Sequence, residues 1–191
     1  FIDGIDGLSS SLIILIFVFI IFNAYIFNIN LNLNQFSIII ISLVVFLIFN
    51  LSIFNLPKIF LGDAGSCFLG FFIGCLLIVF SQEPYNLISK SFVPWLLAIP
   101  IYDFLSVSII RVLNKKSPFY PDNNHIHHLL LKQKFSQFKV LLIILTIQFI
   151  LSLYGMLISN LTTLHFSVLN YVILFLVYFI MMNILKNKNY I

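Results

Sequence analysis

Long uninterrupted apolar stretches are the feature that most restricts how this chain can fold. Six of them are long enough to cross a bilayer, because about 20 helical residues span roughly 30 Å of hydrocarbon. They cover residues 8–27, 36–54, 64–80, 92–112, 140–158 and 166–185. Within lipid every backbone N–H group needs a partner in its own segment, so these runs predict helices although they are rich in Ile and Val.

The composition agrees with a membrane protein. Only 8% of the 191 residues are charged, and the mean hydropathy is +1.12, whereas a soluble domain carries about 25% charged residues. We therefore predict an all-α, polytopic integral membrane protein with six transmembrane helices, forming a single domain over residues 1–191. Its polar connections on one face cover about residues 1–7, 55–63 and 113–139.

Lysine and arginine are distributed unequally between the two sides of the predicted bundle. If the six spans alternate in direction, nine of the ten basic residues fall on one side and Lys90 falls on the other. The positive-inside rule then assigns both chain ends and the long connection 113–139 to the cytoplasm. This asymmetry explains the net charge of +4 without nucleic acid as a partner. The nine residues are Lys58, Arg111, Lys115, Lys116, Lys132, Lys134, Lys139, Lys186 and Lys188.

Two spans carry features that predict how the helices pack. Pro100 lies in the middle of the fourth span and removes one backbone donor, so a kink or break is expected there. Ser66, Gly70 and Gly74 recur every four residues on the third span. Such a face of small side chains predicts close packing against another helix.

Acidic and histidine side chains collect in the connections of the predicted cytoplasmic face. Asp3 and Asp6 stand three residues apart, each followed by a glycine, just ahead of the first span. Two neighbouring carboxylates can bind a cation, accept hydrogen bonds from a ligand, or cap the helix. The residues alone leave these three interpretations open.

Asp63 belongs to the stretch FLGDAGS at 60–66, which leads directly into the third span. A glycine turn at a helix N-terminus favours an anion, yet a carboxylate there would repel a phosphate. Mg²⁺ bound by one or two carboxylates and by substrate phosphates resolves this conflict. The alternative is that Asp63 caps the helix.

Three histidines, His125, His127 and His128, lie in the long connection, which also contains Lys115 and directly follows Arg111. Their spacing fits no common zinc pattern. A basic connection with many hydrogen-bond donors suits a diphosphate better. The alternative is a solvated loop whose charges only set the topology.

Together these stretches resemble the polyprenyl-phosphate N-acetylhexosamine-1-phosphate transferases, membrane enzymes of glycosyltransferase family 4. The resemblance is greatest to the branch that initiates O-antigen (lipopolysaccharide), enterobacterial common antigen and teichoic-acid linkage synthesis. Phospho-N-acetylmuramoyl-pentapeptide transferase is a more distant relative. The resemblance covers roughly residues 1–130, and the last two spans match only as hydrophobic helices. It rests on FIDGIDGL at 1–8, FLGDAGS at 60–66, PIYDF at 100–104 and SPFYPDNNHIHH at 117–128.

The resemblance implies a role for each matched residue. Asp63 corresponds to the Mg²⁺-binding aspartate, with Mn²⁺ as an alternative metal. Asp3 and Asp6 correspond to a pair that lines the uridine-diphosphate pocket, and Phe60 to an aromatic residue that stacks on uracil. The implied catalytic residues are Asp63, His125, His127 and His128. The implied substrate-binding residues are Asp3, Asp6, Phe60, Arg111 and Asn50.

The implied reaction transfers N-acetylhexosamine-1-phosphate from a UDP-sugar to polyprenyl phosphate, such as undecaprenyl phosphate, and releases UMP. The enzyme would lie in the bacterial cytoplasmic (inner) membrane with its site facing the cytoplasm, and a homodimer is compatible with it. One alternative is an ion-coupled transporter, for which Asp103 is the candidate intramembrane acid. Another is a non-catalytic membrane fragment.

Two departures from the family pattern matter. Asn123 stands where members usually carry Arg, so one cationic contact to phosphate is expected to be either lost or supplied by Arg111. Members also have adjacent aspartates and a group of asparagines upstream of the segment that begins here at Phe1. We therefore expect the chain to be the C-terminal part of the enzyme, with an incomplete metal site and no activity on its own.

Overall fold

The computed structural model describes residues 4–29, 33–120 and 122–188. Within these ranges the chain forms eight α-helices and one short 3-10 turn at Ile53–Asn55, with no β-strand, which confirms the all-α prediction. The helices are α1 (Leu8–Ile26), α2 (Leu33–Asn50), α3 (Gly62–Phe80), α4 (Val93–Leu96), α5 (Ala98–Leu113), α6 (Ile126–Lys132), α7 (Gln137–Leu161) and α8 (Leu164–Lys188).

Four helices of the described chain, namely α1, α3, α7 and α8, are long and apolar enough to cross a bilayer. Helix α2 is apolar as well, but its apolar part, Phe36–Asn50, is shorter than these four helices. The fourth predicted span is divided between α4 and α5. The six expected spans thus correspond to four full-length helices, one shorter helix and one broken segment. The long apolar helices make the chain a multi-pass membrane protein.

The division of the fourth predicted span lies at Leu97, three residues before Pro100. Pro100 is the third residue of α5, where a helix has no internal acceptor for a backbone N–H group. A proline ring clashes with the carbonyl group four residues earlier, here that of Leu96. The expected break is therefore present, but it precedes the proline, which starts a new helix.

Gln148 of α7 supplies the hydrogen bonds that the break removes. Its Nε2 donates to the carbonyl oxygens of Trp95 and Leu96 at 2.9 and 3.1 Å. Its Oε1 accepts from the Ile99 N–H group at 2.9 Å, and the side chain is fully buried. Because an unpaired backbone group is costly within lipid, this one side chain stabilises the break and holds α5 against α7.

Two clusters of buried apolar side chains pack the bundle. The first joins the start of α1 to α5, α6, α7 and α8 around Tyr102 and Ile126. The second joins the remainder of α1 to α2, α3 and α4 around Phe17, Leu77 and Trp95. Because α6 belongs to the first cluster, the residues at its start are held by the core.

The small-residue face of α3 has no helix packed on it within the described chain. A Cβ atom added at Gly70 or Gly74 would meet nothing within 4 Å. The buried residues of α3 are Ile73 and Leu77. Around the helix axis Ile73 lies about 60° from Gly70 and about 100° from Gly74, and Leu77 lies about 20° and about 60° from them. The expectation of a close helix contact on this face is therefore wrong for the described residues.

Candidate functional site

The turn that precedes α1 lies directly against residues 125–128, which we call the histidine segment. A Cβ atom added at Gly4 would lie 2.7 Å from Cδ2 of His127 and closer still to its Nε2 and Cε1. The His127 side chain is only 4% exposed, so the ring has little room to move. Two stretches that are far apart in the sequence therefore meet at a contact that only glycine permits.

Asp103 of α5 holds the histidine segment in place. Its Oδ2 faces Nδ1 of His125 at 3.0 Å, and its Oδ1 accepts from the Ile126 N–H group at 2.9 Å. The Tyr178 hydroxyl of α8 donates to the same Oδ1 at 3.2 Å. Ile126 is the first residue of α6, so this carboxylate caps the helix from a distant element and is favoured by the helix dipole.

These bonds bear on the transporter alternative. Asp103 is 5% exposed, and both of its carboxylate oxygens accept hydrogen bonds from the protein. A relay acid in a transport pathway is expected to face water or an ion. The geometry of Asp103 is that of a residue which positions the histidine segment.

Burial changes the protonation of the histidines. Burial, aided by the neighbouring His128, lowers the pKa of His127 from 6.5 to about 4. Burial also lowers the pKa of His128. His127 is therefore neutral at pH 7, and its Nε2 has no hydrogen-bond partner in the described chain. An unpaired buried nitrogen costs free energy, which a hydrogen-bond partner at this atom would offset.

The histidine segment is not a solvated loop. Ile126, Leu129 and Leu130 are each at most 7% exposed and pack in the first core cluster. The start of α6 is therefore packed in the core, while Lys115 and Lys116 of the same connection are exposed. That the connection does more than set the topology stays a prediction. The alternation of histidines with Ile126, followed by three leucines, was the sequence signal for a docked helix.

Arg111 pairs with Asp122 within the long connection. Its Nε and Nη2 donate to the two carboxylate oxygens at 3.0 and 2.8 Å, and its Nη1 donates to the Pro118 carbonyl at 2.6 Å. Burial tends to raise the pKa of Asp122, but hydrogen bonds from Arg111 and Asn124 lower it to about 2. These bonds do not support the expectation that Arg111 replaces the arginine absent at Asn123. Its role in substrate binding stays a prediction.

The loop after α2 is tied to the turn before α1. The Lys58 ammonium group forms an ion pair with Asp6 and lies 5.0 Å from the ring centroid of Phe60, which is exposed. Asn50 accepts a hydrogen bond from the Gly7 N–H group and donates to a backbone carbonyl of the loop at 2.8 Å. Asn50 therefore supports the turn, and its direct contact with substrate stays a prediction.

Asp63 is an exposed residue in the first turn of α3. The N-cap of α3 is Leu61, and the side chains make no capping bond, so Asp63 does not cap the helix. Its carboxylate forms no hydrogen bond or ion pair with the described residues. These residues also contain no group of three His, Cys, Asp or Glu side chains suited to a metal. A single open carboxylate fits Mg²⁺ only together with phosphate oxygens or further ligands.

Two cavities flank the contact between Gly4 and the histidine segment. One, of about 510 Å³, is lined by Asp6 and Phe138 among others. The other, of about 460 Å³, is lined by His125 and Tyr120 among others. Both volumes lie within the range of about 300–1,000 Å³ that is typical of ligand sites.

The structure brings together several of the residues singled out in the sequence, but within the described chain no hydrogen bond or ion pair links Asp63 to them. Lys58 contacts both Asp6 and Phe60, and Gly4, in the same turn as Asp6, contacts His127 of the histidine segment. Asp3 lies outside the described residues. Asp103 was not assigned to the site, although PIYDF at 100–104 marked it, and no sequence signal pointed to Tyr178.

The comparisons with known proteins concern the first part of the chain. Residues 1–81 match the family described as glycosyl transferase family 4. The chain is thus a multi-pass membrane protein whose residues 1–81 are similar to glycosyl transferase family 4. This match covers the stretches at 1–8 and 60–66; the stretches at 100–104 and 117–128 lie beyond it.

Three of the similar proteins carry the same name, undecaprenyl-phosphate alpha-N-acetylglucosaminyl 1-phosphate transferase. The Salmonella typhi protein is 39% identical over 79 residues, which are 41% of this chain and 22% of the relative. The Haemophilus influenzae protein is 33% identical over 100 residues (52% and 28%), and the Yersinia pestis protein 32% over 105 residues (55% and 29%). The matched segment spans less than a third of each relative. No solved structure matches the chain significantly.

Proposed function

We propose that this chain is part of an enzyme that transfers N-acetylhexosamine-1-phosphate from a UDP-sugar to a polyprenyl phosphate and releases UMP. The observation that carries the proposal is the meeting of three stretches at one end of the bundle. They are the turn with Gly4 and Asp6, the loop with Lys58 and Phe60, and the histidine segment. The family match and the names of the relatives support the same reaction.

The region around Asp6 and Phe60, which Lys58 links, suits the uridine end of the donor. The Asp6 carboxylate can accept N–H or O–H groups of a nucleoside, and the exposed Phe60 ring offers a surface on which a base can stack. The Lys58 ammonium group lies close to both residues. It provides a positive charge for the neighbouring diphosphate.

The histidine segment suits the transferred phosphoryl group. Negative charge spreads over the phosphoryl oxygens in the transition state, so positioned donors lower the barrier. A phosphate beside the buried His127 would raise the pKa of that ring, because the opposite charge favours the protonated form. The Nε2 atom of His127, which has no hydrogen-bond partner among the described residues, would then donate a hydrogen bond to the substrate.

Asp63 is the residue that would hold Mg²⁺, or Mn²⁺ in its place. Its exposed carboxylate, which has no partner among the described residues, is compatible with an ion whose other ligands are phosphate oxygens. The ion would neutralise charge on the diphosphate.

The reaction balances without a redox step. An oxygen of the lipid phosphate forms a bond to the phosphorus that carries the sugar. The bond from that phosphorus to the bridging oxygen breaks, and UMP leaves with the electron pair. A lipid phosphate is already ionised at pH 7, so the protein has mainly to position the two substrates. We place the site on the cytoplasmic side of a bacterial inner membrane, since the basic residues favour that orientation.

A transfer assay tests the proposal on the natural gene product that contains residues 1–191. Membranes receive radiolabelled UDP-N-acetylglucosamine, undecaprenyl phosphate and Mg²⁺, and the label in lipid is compared with the UMP released. We expect equal amounts of both. Asp103→Asn keeps the shape but removes the charge that orients His125. Its kcat should fall about 10²–10³-fold, with a smaller change in KM.

Lys139→Gln is the matched control, because it removes an exposed charge from the same side of the bundle. Its rate should stay within about twofold of the parent. Consumption of the UDP-sugar without a labelled lipid would refute the transferase proposal. Equal rates for Asp103→Asn and Lys139→Gln would remove the histidine segment from the site.

A further inference from the structure

Another polar cavity lies at the opposite end of the bundle from the histidine segment. It has a volume of about 450 Å³ and is lined by the C-terminal ends of α1 and α7 and by the connection after α3. Helix α1 runs from Leu8, beside the candidate site, to Ile26, beside this cavity. Its 19 residues span about 28 Å, so the two sites lie at opposite membrane faces.

The lining of this cavity combines one cation with neutral polar groups. Asn23, Asn86 and Asn160 contribute amides, and Lys90 contributes an ammonium group. Lys90 forms none of the ion pairs of the described chain. Glu83 belongs to the same connection but lies outside the lining, which contains no acidic side chain among the described residues.

Asn23 supplies a side-chain amide to the wall of the cavity. Its side chain is 4% exposed and lines the cavity, yet its amide makes no hydrogen bond with the described residues. Two neighbours differ, since Ser81 donates to the Ile78 carbonyl and Asn160 donates to the Met156 carbonyl, both at 2.8 Å. The Asn23 amide can therefore bond to a ligand that enters the cavity.

We propose that this cavity binds the phosphodiester headgroup of an anionic glycerolipid in the leaflet opposite the histidine segment. Lys90 meets the single negative charge of the phosphodiester. The amides of Asn23 and Asn86 bind its remaining oxygens and the headgroup hydroxyls. Phe27 and Leu87, which also line the cavity, contact the upper part of the acyl chains. A zwitterionic headgroup fits less well, because its ammonium group would find no carboxylate in the described lining.

Lipid titration of the natural gene product in mild detergent tests this site. Phosphatidylglycerol, phosphatidylethanolamine and inorganic phosphate are added separately, and bound molecules are counted by native mass spectrometry. We expect one tight phosphatidylglycerol per chain, with a Kd at least about tenfold below that of phosphatidylethanolamine. Lys90→Gln and Asn23→Leu should each weaken this binding by about tenfold or more, since each removes a partner of the phosphate.

Lys139→Gln is again the control, because other anionic lipid will gather at the basic face of the bundle without forming this site. Its tight phosphatidylglycerol should be unchanged. If Asn23→Leu fails to fold, Lys90→Gln still decides the question, because Lys90 is exposed. Unchanged affinity in Lys90→Gln would overturn the proposal. Inorganic phosphate that displaces the lipid at equal concentration would reassign the cavity to a soluble anion and overturn it as well.

Discussion

Replacement of Gly4 by alanine tests the contact on which the candidate site depends. The added methyl group would lie 2.7 Å from Cδ2 of His127, and nearer to two other ring atoms. Carbon atoms in contact normally stay about 3.5–4.0 Å apart. The ring would therefore have to move by about 1 Å or more, or the turn before α1 would have to shift.

The surroundings of the ring set the size of the effect. His127 is almost fully buried, and the ring of His128 lies 4.1 Å away between centroids. Overpacking a filled site costs about 1–3 kcal/mol, and the lack of free space here favours the upper half of that range. We therefore expect Gly4→Ala to lower the free energy of unfolding by about 2–3 kcal/mol.

The measurement is thermal unfolding of the natural gene product in mild detergent, with a double-mutant cycle. His127→Ala removes the ring, so Gly4→Ala should cost little in that background. The coupling free energy should then be at least about 1 kcal/mol. Additive effects of the two substitutions would refute the contact, and with it the meeting of the first and third stretches.

Three further predictions concern packing, protonation and topology. Gly155→Ala places a methyl group 2.6 Å from Cδ2 of the buried Trp95 and should cost about 1–3 kcal/mol in thermal unfolding. The pKa of His127 is depressed to about 4, so the unfolded chain binds more protons between pH 6.5 and 4. The contribution of His127 to the free energy of unfolding is therefore complete above pH 6.5. It decreases by up to about 3 kcal/mol as the pH falls through this window. In sealed cells, a cysteine at Ser117 should resist an impermeant label and one at Thr163 should react, because the basic residues favour a cytoplasmic long connection.

Each of these predictions has a control or an outcome that contradicts it. Gly70→Ala also adds a methyl group inside a helix but meets open space, so equal losses for both variants would exclude the clash. His127→Gln should remove the pH slope between 6.5 and 4, and a slope that persists belongs to another group. Labelling at Ser117 but not at Thr163 would place the histidine segment outside the cell, where a cytoplasmic UDP-sugar is absent.

The positions of the long helices followed from the amino-acid sequence alone. The first predicted span, 8–27, is observed as Leu8–Ile26, and the third, 64–80, as Gly62–Phe80. The physical reason is that a long apolar segment in lipid satisfies its backbone groups most simply as a helix. The same apolar runs also indicated which connections carry the polar residues.

The partners of the polar residues were decided by the tertiary structure. Asp103 lies on α5 and contacts both His125 and Tyr178, the latter on α8. Gly4 contacts His127 although the two residues are far apart in the sequence. No periodic pattern links residues on different elements, so the sequence marked the histidines without showing what orients them. Burial in the assembled bundle also sets the pKa of His127.

The broken fourth span shows the same division. Pro100 predicted a break, because a proline in the interior of a helix disrupts its hydrogen bonding. The place of the break at Leu97 depends on Gln148, which lies on α7 and bonds to the backbone groups released on both sides. A local rule predicts that a helix will be interrupted, but only the packed neighbour that satisfies the freed groups determines where.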